Sequence, residues 1–400
     1  MPTTDTARDA EQLRAGLVDY IRGRGTFQTQ AVETAFATVP RHLFLPDVDL
    51  ETAYAPQVVV TKRAPDGSAL SSATHPNMVA SMLEQLAAQP GHRVLEIGAA
   101  TGINAALLAE LVGPTGSVVT IEIDQDLTDG ARAALDTAGY HHVEVICADG
   151  SLGHPEHAPY DRIIVTAGAP DIPSTWWAQL APEGRIVVPL ELHDSGLTRS
   201  IAFDKTSADR MISASANVCG FVPLRGAYNC AERTVPLGED ITLLLAVDDV
   251  ASNSLSQALT YPAHEQWPGI TIDDDDPVEH LDLWLVTTAS NFARLSVPSH
   301  ARPRVDPALR WAGAALHDGN GTLAYLALRP AGEHTDELGV IVHGPAATSF
   351  AAHTVELLHH WRKQRPTQPI ITAQPVDTPA EQRPVGTHIN KTDTTFTINW

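Results

Sequence analysis

Glu96, Gly98 and Gly102 give the spacing Glu-x-Gly-x-x-x-Gly at the end of the apolar run that begins at Val94. Ile103 to Leu111 then carry apolar residues at helical spacing, so the loop joins a strand to a helix. Such a turn leaves backbone N–H groups and the positive helix end facing a ligand. Glycine at 98 and 102 lets the backbone approach that ligand without a Cβ in the way, and Ala100 and Thr101 lie in the same loop. Glu96 selects the ligand's charge. A carboxylate there repels the pyrophosphate of a dinucleotide but suits a cationic ligand with an amino group, S-adenosylmethionine.

Two further acids support a nucleoside. Glu122, followed by Ile123 and Asp124, ends the next apolar run about 20 residues past the glycines, where a carboxylate accepts both ribose hydroxyls. The alternative is a surface acid at a strand end. Asp149-Gly150 closes a third run; its carboxylate suits the adenine amino group and its glycine a flat approach to the ring. An Asp-Gly turn is common, so this pair counts only in combination. Asp161 to Gly168 is a buried strand ending in small residues, and all these strand ends open onto one crevice.

The elements that must position these residues follow from periodicity. Helices are expected over 8–22, 30–38, 78–88, 103–112, 127–138 and 174–181, with strands at 92–97, 117–123, 143–147, 161–166 and 184–190. Alternation of this kind predicts an α/β, doubly wound parallel sheet. Beyond residue 230 the pattern becomes α+β, with strand-like runs at 241–247, 281–288, 322–328, 338–343 and 393–399 and a helix at 350–362. The expected organisation is an N-terminal helical and substrate-loop region (1–75), a Rossmann-like domain (76–230) and a smaller C-terminal α+β domain (231–400) that recognises a peptide.

A formal charge of −22 argues against nucleic acid, because neutralising phosphates needs clustered Lys and Arg. A peptide or small molecule is the easier partner. The three cysteines make no disulfide framework. With neither a signal-peptide pattern nor a bilayer-length apolar run, no membrane association is expected and the cytoplasm is the default location.

Several segments together resemble the protein L-isoaspartate O-methyltransferase family. They are Val39-Pro40-Arg41-His42-Leu43-Phe44-Leu45-Pro46, Ala53-Tyr54, Glu96-Ile97-Gly98 with Gly102, Asp149-Gly150, Ala158-Pro159-Tyr160-Asp161, and Gln179 to Arg185. The resemblance covers residues 10–225 and implies a class I methyltransferase fold using S-adenosylmethionine. The chain departs from the family pattern in its substrate loop. Where the family reads Gly-Gln-Thr-Ile-Ser-x-Pro, this chain reads Leu70-Ser71-Ser72-Ala73-Thr74-His75-Pro76. Hydroxyls persist at 72 and 74, but Gly-Gln is lost. The loop's middle glycine is Ala100, and the aromatic that often follows its last glycine is Ile103.

Repair enzymes of the family stop near position 225, whereas this chain runs to Trp400. Cys219 to Gly226, Leu281 to Leu285 and Thr395 to Trp400 look similar to a longer actinobacterial subgroup encoded with ribosomally made, modified peptides such as lanthipeptides. That likeness implies an aspartate in a precursor peptide as acceptor, methylated and then closed to succinimide or opened to isoaspartate. General isoaspartate repair and a non-catalytic peptide-binding scaffold are the alternatives.

A carboxylate is already nucleophilic at neutral pH, so the protein must align it and exclude water. Thr74 is the expected hydroxyl that orients the acceptor carboxylate, supported by Ser72 and by the Asn77 amide; alternatively Thr74 only caps the helix entered at Pro76. His154-x-x-His157, His141-His142 and His359-His360 show no third ligand at metal-site spacing, so no metal is expected. Trp176 and Trp177 read as core or rim residues, and Asp273–Asp276 as a solvated loop.

Overall fold

The apolar runs that precede the acidic and small residues become parallel strands. The computed structural model describes residues 4–228, 233–246, 249, 253–273, 276–309 and 313–400. Across the sheet, Glu144–Cys147, Ser117–Glu122, Arg93–Ile97, Tyr160–Val165 and Leu180–His193 lie side by side, all parallel. The chain order reverses between Arg93–Ile97 and Tyr160–Val165. Ligands of such sheets bind outside the carboxyl ends of the strands at that reversal. Gly98 and Thr166 each follow directly on one of these two strands.

Side-chain alternation along the strands sends successive residues to opposite faces. Val94, Val118, Ile164 and Val187 join one core with the helices Pro76–Leu86 and Ile103–Val112 and the N-terminal helices. Leu95, Val119, Ile163 and Ile186 join another with Trp176 and Trp177, and this core runs on without a break to Ile270, Leu283, Val340 and Trp361. The C-terminal region is therefore packed on the sheet that carries the glycine loop.

The region expected over 231–400 is divided in space. Arg233–Gly238, Ile241–Leu245, Phe292–Ser296, Ala314–His317, Leu323–Pro330, Thr335–His343 and His264–Asp273 make a seven-stranded antiparallel sheet, in that spatial order. Helix Ala347–Gln364 packs on it through Ala351, Val355, Leu358 and Trp361. The chain then returns. Ile370–Pro375 pairs with Arg210–Val218, and Thr394–Asn399 and Thr387–Asn390 continue outward, making the first sheet ten-stranded. Trp177 Nε1 donates to Thr394 Oγ1 at 3.0 Å, across that joint.

Two expectations are corrected. Leu281–Thr288 is a helix, not a strand. The alternation Leu281, Leu283, Leu285 mimicked a strand because every residue from Leu281 to Leu285 is buried, with Asp282 paired to Arg199. Within the acidic run, Asp276 is buried and accepts from Arg362 and Arg365 at the end of the long helix; Asp274 and Asp275 lie outside the described residues. Trp176 and Trp177 are indeed buried. The segment Arg41–Phe44 packs against Leu50–Tyr54: Arg41 Nε donates to Ala53 O at 2.7 Å, and His42 Nδ1 lies 2.8 Å from Tyr54 Oη. No helix among the described residues is long and apolar enough to cross a membrane.

Candidate active site

Two cavities adjoin at the strand reversal. The first is lined by Ile121, Glu122, Ile123, Gly150 and Leu224 among others. The second is lined by Glu96, Ala99, Thr101, Ile103 and Asn104 among others. Ser72, Thr74, Gly98, Ala100, Thr166 and Phe221 border both. The sequence thus brought ten of its twelve site residues to one crevice: Ser72, Thr74, Glu96, Gly98, Ala100, Thr101, Glu122, Ile123 and Gly150 line it, and Gly102 caps the helix Ile103–Val112 behind it.

Gly98 has φ +102, and a Cβ there would meet Thr166 Oγ1 at 2.5 Å. The Thr166 hydroxyl lies within hydrogen-bond distance of the carbonyls of Ile97 (3.0 Å) and Gly98 (2.7 Å), so it clamps the turn. Ala100, at the place of a family glycine, keeps the left-handed backbone (φ 45) despite its Cβ, at a cost of about 1 kcal/mol. Its N–H donates to Glu122 Oε2 at 2.9 Å, while Glu122 Oε1 accepts from the N–H of Ile123 at 3.0 Å. The loop is therefore tied to the next strand through Glu122, whose carboxylate still faces the first cavity.

Glu96 is fully buried. Its oxygens accept from Asn104 Nδ2 at 2.7 Å and Thr120 Oγ1 at 2.6 Å. Burial pushes its carboxyl up to about 7, against the lowering effect of those two donors. The Thr101 hydroxyl is buried without a hydrogen-bond partner among the described residues. The unpartnered hydroxyl leaves this wall with unused hydrogen-bonding capacity beside the buried acid.

Asp149 and Asn77 are not among the residues that line the two cavities. Asp149 Oδ1 accepts from Ser151 N (2.9 Å) and Oγ (2.7 Å), and Oδ2 from Ala227 N at 2.9 Å, so it fastens its own turn to the segment after Arg225. Gly150 is the member of that pair that lines the crevice, and Trp176 Nε1 holds its carbonyl at 2.9 Å. Asn77 Oδ1 accepts from Thr26 Oγ1 at 2.6 Å, away from both cavities. The helix from Pro76 is capped by His75, whose Nδ1 accepts from Asn77 N at 3.2 Å. Thr74 is not the cap.

The periodicity did not show how the crevice is covered. Phe221 to Arg225 cross it, held by backbone hydrogen bonds between Gly168 and Val222 (2.8 Å) and between Leu224 and Gly168 (2.7 Å). The hairpin of Val59–Arg63 and Ala69–Ala73 closes a second side. Lys62 Nζ reaches Asp124 Oδ2 at 2.9 Å and Asp126 Oδ1 at 2.7 Å, and Arg225 Nη2 reaches the same Asp124 oxygen at 2.7 Å. The hydrogen bond from Arg225, helped by Lys62, holds the Asp124 carboxyl down at about 2 despite its partial burial.

A family model, that of the protein-L-isoaspartate(D-aspartate) O-methyltransferases, matches residues 12–229. The chain belongs to this family. A protein-L-isoaspartate O-methyltransferase of Methanopyrus kandleri is 40% identical over 216 residues, 54% of this chain and 92% of that one. One from Hyperthermus butylicus is 40% identical over 236 residues, 56% of this chain and 95% of that one. A solved structure bearing the same enzyme name covers 90% of this chain and 96% of its own length, at 22% identity and a TM-score of 0.51. The last likeness shows a shared fold that extends past the matched region into the C-terminal part. Enzymes of the family are S-adenosylmethionine-dependent carboxyl O-methyltransferases. The chemistry of the lining fits that cofactor: one cavity carries the Glu122 carboxylate, and the other carries the Glu96 carboxylate and the unpartnered Thr101 hydroxyl.

Proposed function

We propose that this chain methylates an aspartate side-chain carboxylate in a ribosomally made precursor peptide, with the hairpin hydroxyls presenting the acceptor. The position of Ser72 and Thr74 on the wall shared by the two cavities supports a carboxylate acceptor. The observation that carries the choice of aspartate is the replacement of the family's Gly-Gln by Leu70-Ser71 in the lining. Glu122, Ile123 and Gly150 would hold the nucleoside end of S-adenosylmethionine; Glu96, Thr101 and the loop around Ala100 would hold its amino-acid end. When bound, the cofactor supplies an electrophilic methyl group on a sulfonium.

The remaining work falls to the protein. Thr74 hydrogen-bonds one oxygen of the acceptor carboxylate and leaves the other directed inward, with Ser72 beside it. No base is needed, because the acceptor is already ionised at neutral pH. Phe221 and the covering segment exclude water, which favours a step that neutralises opposite charges. The ester product is a better electrophile than the acid; attack by the following amide nitrogen expels methanol and gives a succinimide, which water opens to isoaspartate.

The loss of Gly-Gln in favour of Leu70-Ser71 supports an acceptor other than isoaspartate, since both replacements line the crevice. Isoaspartate repair is the second reading. It is favoured by relatives of that name at 40% identity, and the C-terminal extension does not weigh against it, because a structure of that name shares the fold over 90% of this chain. Incubation with S-adenosylmethionine and either a precursor peptide containing unmodified Asp or an isoaspartyl peptide separates them by mass spectrometry. Methyl gain and then methanol loss at Asp supports the proposal; methylation of the isoaspartyl peptide alone supports repair. Cofactor binding with neither product leaves a scaffold.

A further inference from the structure

His154 and His157 lacked a third ligand at metal-site spacing in the sequence; the fold supplies one. Glu144, at the start of the edge strand Glu144–Cys147, is brought against the turn Pro155–His157, and one ligand atom from each of the three side chains lies within 4.8 Å of the others. His157 Nε2 is 2.9 Å from Glu144 Oε2. His154 Nε2 is buried and has no hydrogen-bond partner among the described residues, its nearest acid oxygen being Glu156 Oε2 at 3.8 Å. None of the three residues lines the cofactor crevice.

We infer that Glu144, His154 and His157 form a binding site for a divalent transition metal of the zinc class. Two imidazole nitrogens and a carboxylate are the donor set such ions prefer over calcium or magnesium, which take oxygen ligands. Ligand bonds of about 2.0–2.2 Å put tetrahedral donors roughly 3.3–3.6 Å apart, within the spread found here. The backbone of His154 is fixed from both sides, which keeps its imidazole in place. Its N–H donates to Gln179 Oε1 at 2.7 Å and its carbonyl accepts from Tyr160 Oη at 2.7 Å. Gly153 makes this possible: a Cβ there would meet Gln179 Oε1 at 2.3 Å. A bound ion gives the orphaned His154 nitrogen its partner and joins the edge strand to the turn, leaving a coordination position for water.

The test is a Co²⁺ titration of the full-length, untagged protein after chelator treatment, read by the visible absorption of low-symmetry Co²⁺. A single equivalent is expected to bind and to be displaced by Zn²⁺. His154→Ala should weaken binding by more than about tenfold, the least that loss of a direct ligand should cost when supporting groups cost that much. His157 and Glu144 are half exposed, so His157→Ala and Glu144→Gln should leave the fold unchanged and give the same loss. Replacing His359 and His360 together should change nothing. Absence of the absorption band in the wild-type protein, or binding retained in both His157→Ala and Glu144→Gln, overturns the assignment.

Discussion

Lys62 of the hairpin and Asp124, two residues past Glu122, are joined at 2.9 Å. Arg225 of the covering segment shares the same carboxylate at 2.7 Å. Two chain segments distant in sequence are thus latched to one acid next to Glu122 and Ile123, which line the first cavity.

Lys62→Ala releases one side of that latch. Both partners are partly solvent-exposed, so the fold should be little affected. The expected result is a several-fold rise in KM for S-adenosylmethionine and peptide with almost unchanged Tm. Steady-state kinetics beside thermal melting checks it. Because the Asp124 carboxyl is held at about 2, the effect should be constant from neutral pH down to about pH 4.

Thr74→Ala should lower kcat by roughly 10–100-fold, corresponding to the loss of a hydrogen bond to a charged group worth about 1.5–3 kcal/mol. Cofactor affinity, measured by calorimetry with S-adenosylhomocysteine, should stay nearly constant. Thr74→Ser should retain most of the turnover. A full kcat in the alanine variant would move the orienting role to Ser72.

Glu96 makes the cofactor-free protein pH-sensitive in a definite direction. Its carboxyl sits at about 7 through burial, above its unfolded value, so the folded state binds the extra proton between about pH 4.5 and 7. Stability should therefore fall as pH rises through that window, and Glu96→Gln should flatten the slope. Binding of an ammonium-bearing ligand below pH 7 should release a proton, seen as a dependence of the calorimetric heat on buffer ionisation enthalpy.

Arg199 and Asp282 are paired in the core with both side chains 1% exposed, fastening the helix Leu281–Thr288 to the strand Leu197–Ser207. Asp282→Asn leaves a buried guanidinium without its counter-charge and should cost about 3–5 kcal/mol in urea unfolding. A cost under about 1 kcal/mol would mean that this pair does little to hold the helix on the strand.

What was legible in the chain was local. Glu96, Gly98 and Gly102 announced the loop because strand, turn and helix are contiguous, and Glu122 followed at a fixed interval from them. The crevice cover was not legible, since Lys62, Asp124 and Arg225 meet only after the sheet is built and none forms a spaced motif. Asp149 reads as a ligand contact by its strand-end position, whereas the hydrogen bond it accepts from Ala227, which arrives from another segment, left no mark in the sequence. The same limit hid Glu144 from His154 and His157, and it hid the return of Ile370–Asn399 to the first sheet, where pairing with Arg210–Val218 leaves no mark in either sequence.

The central claim is that the altered loop Leu70–Pro76 presents an aspartate rather than an isoaspartate. It is tested most directly by competition between two otherwise identical peptides for labelled methyl from S-adenosylmethionine. The account predicts a higher kcat/KM for the aspartyl peptide, by at least about tenfold, the ratio given by 1.4 kcal/mol of differential transition-state binding. Preferential labelling of the isoaspartyl peptide would contradict it.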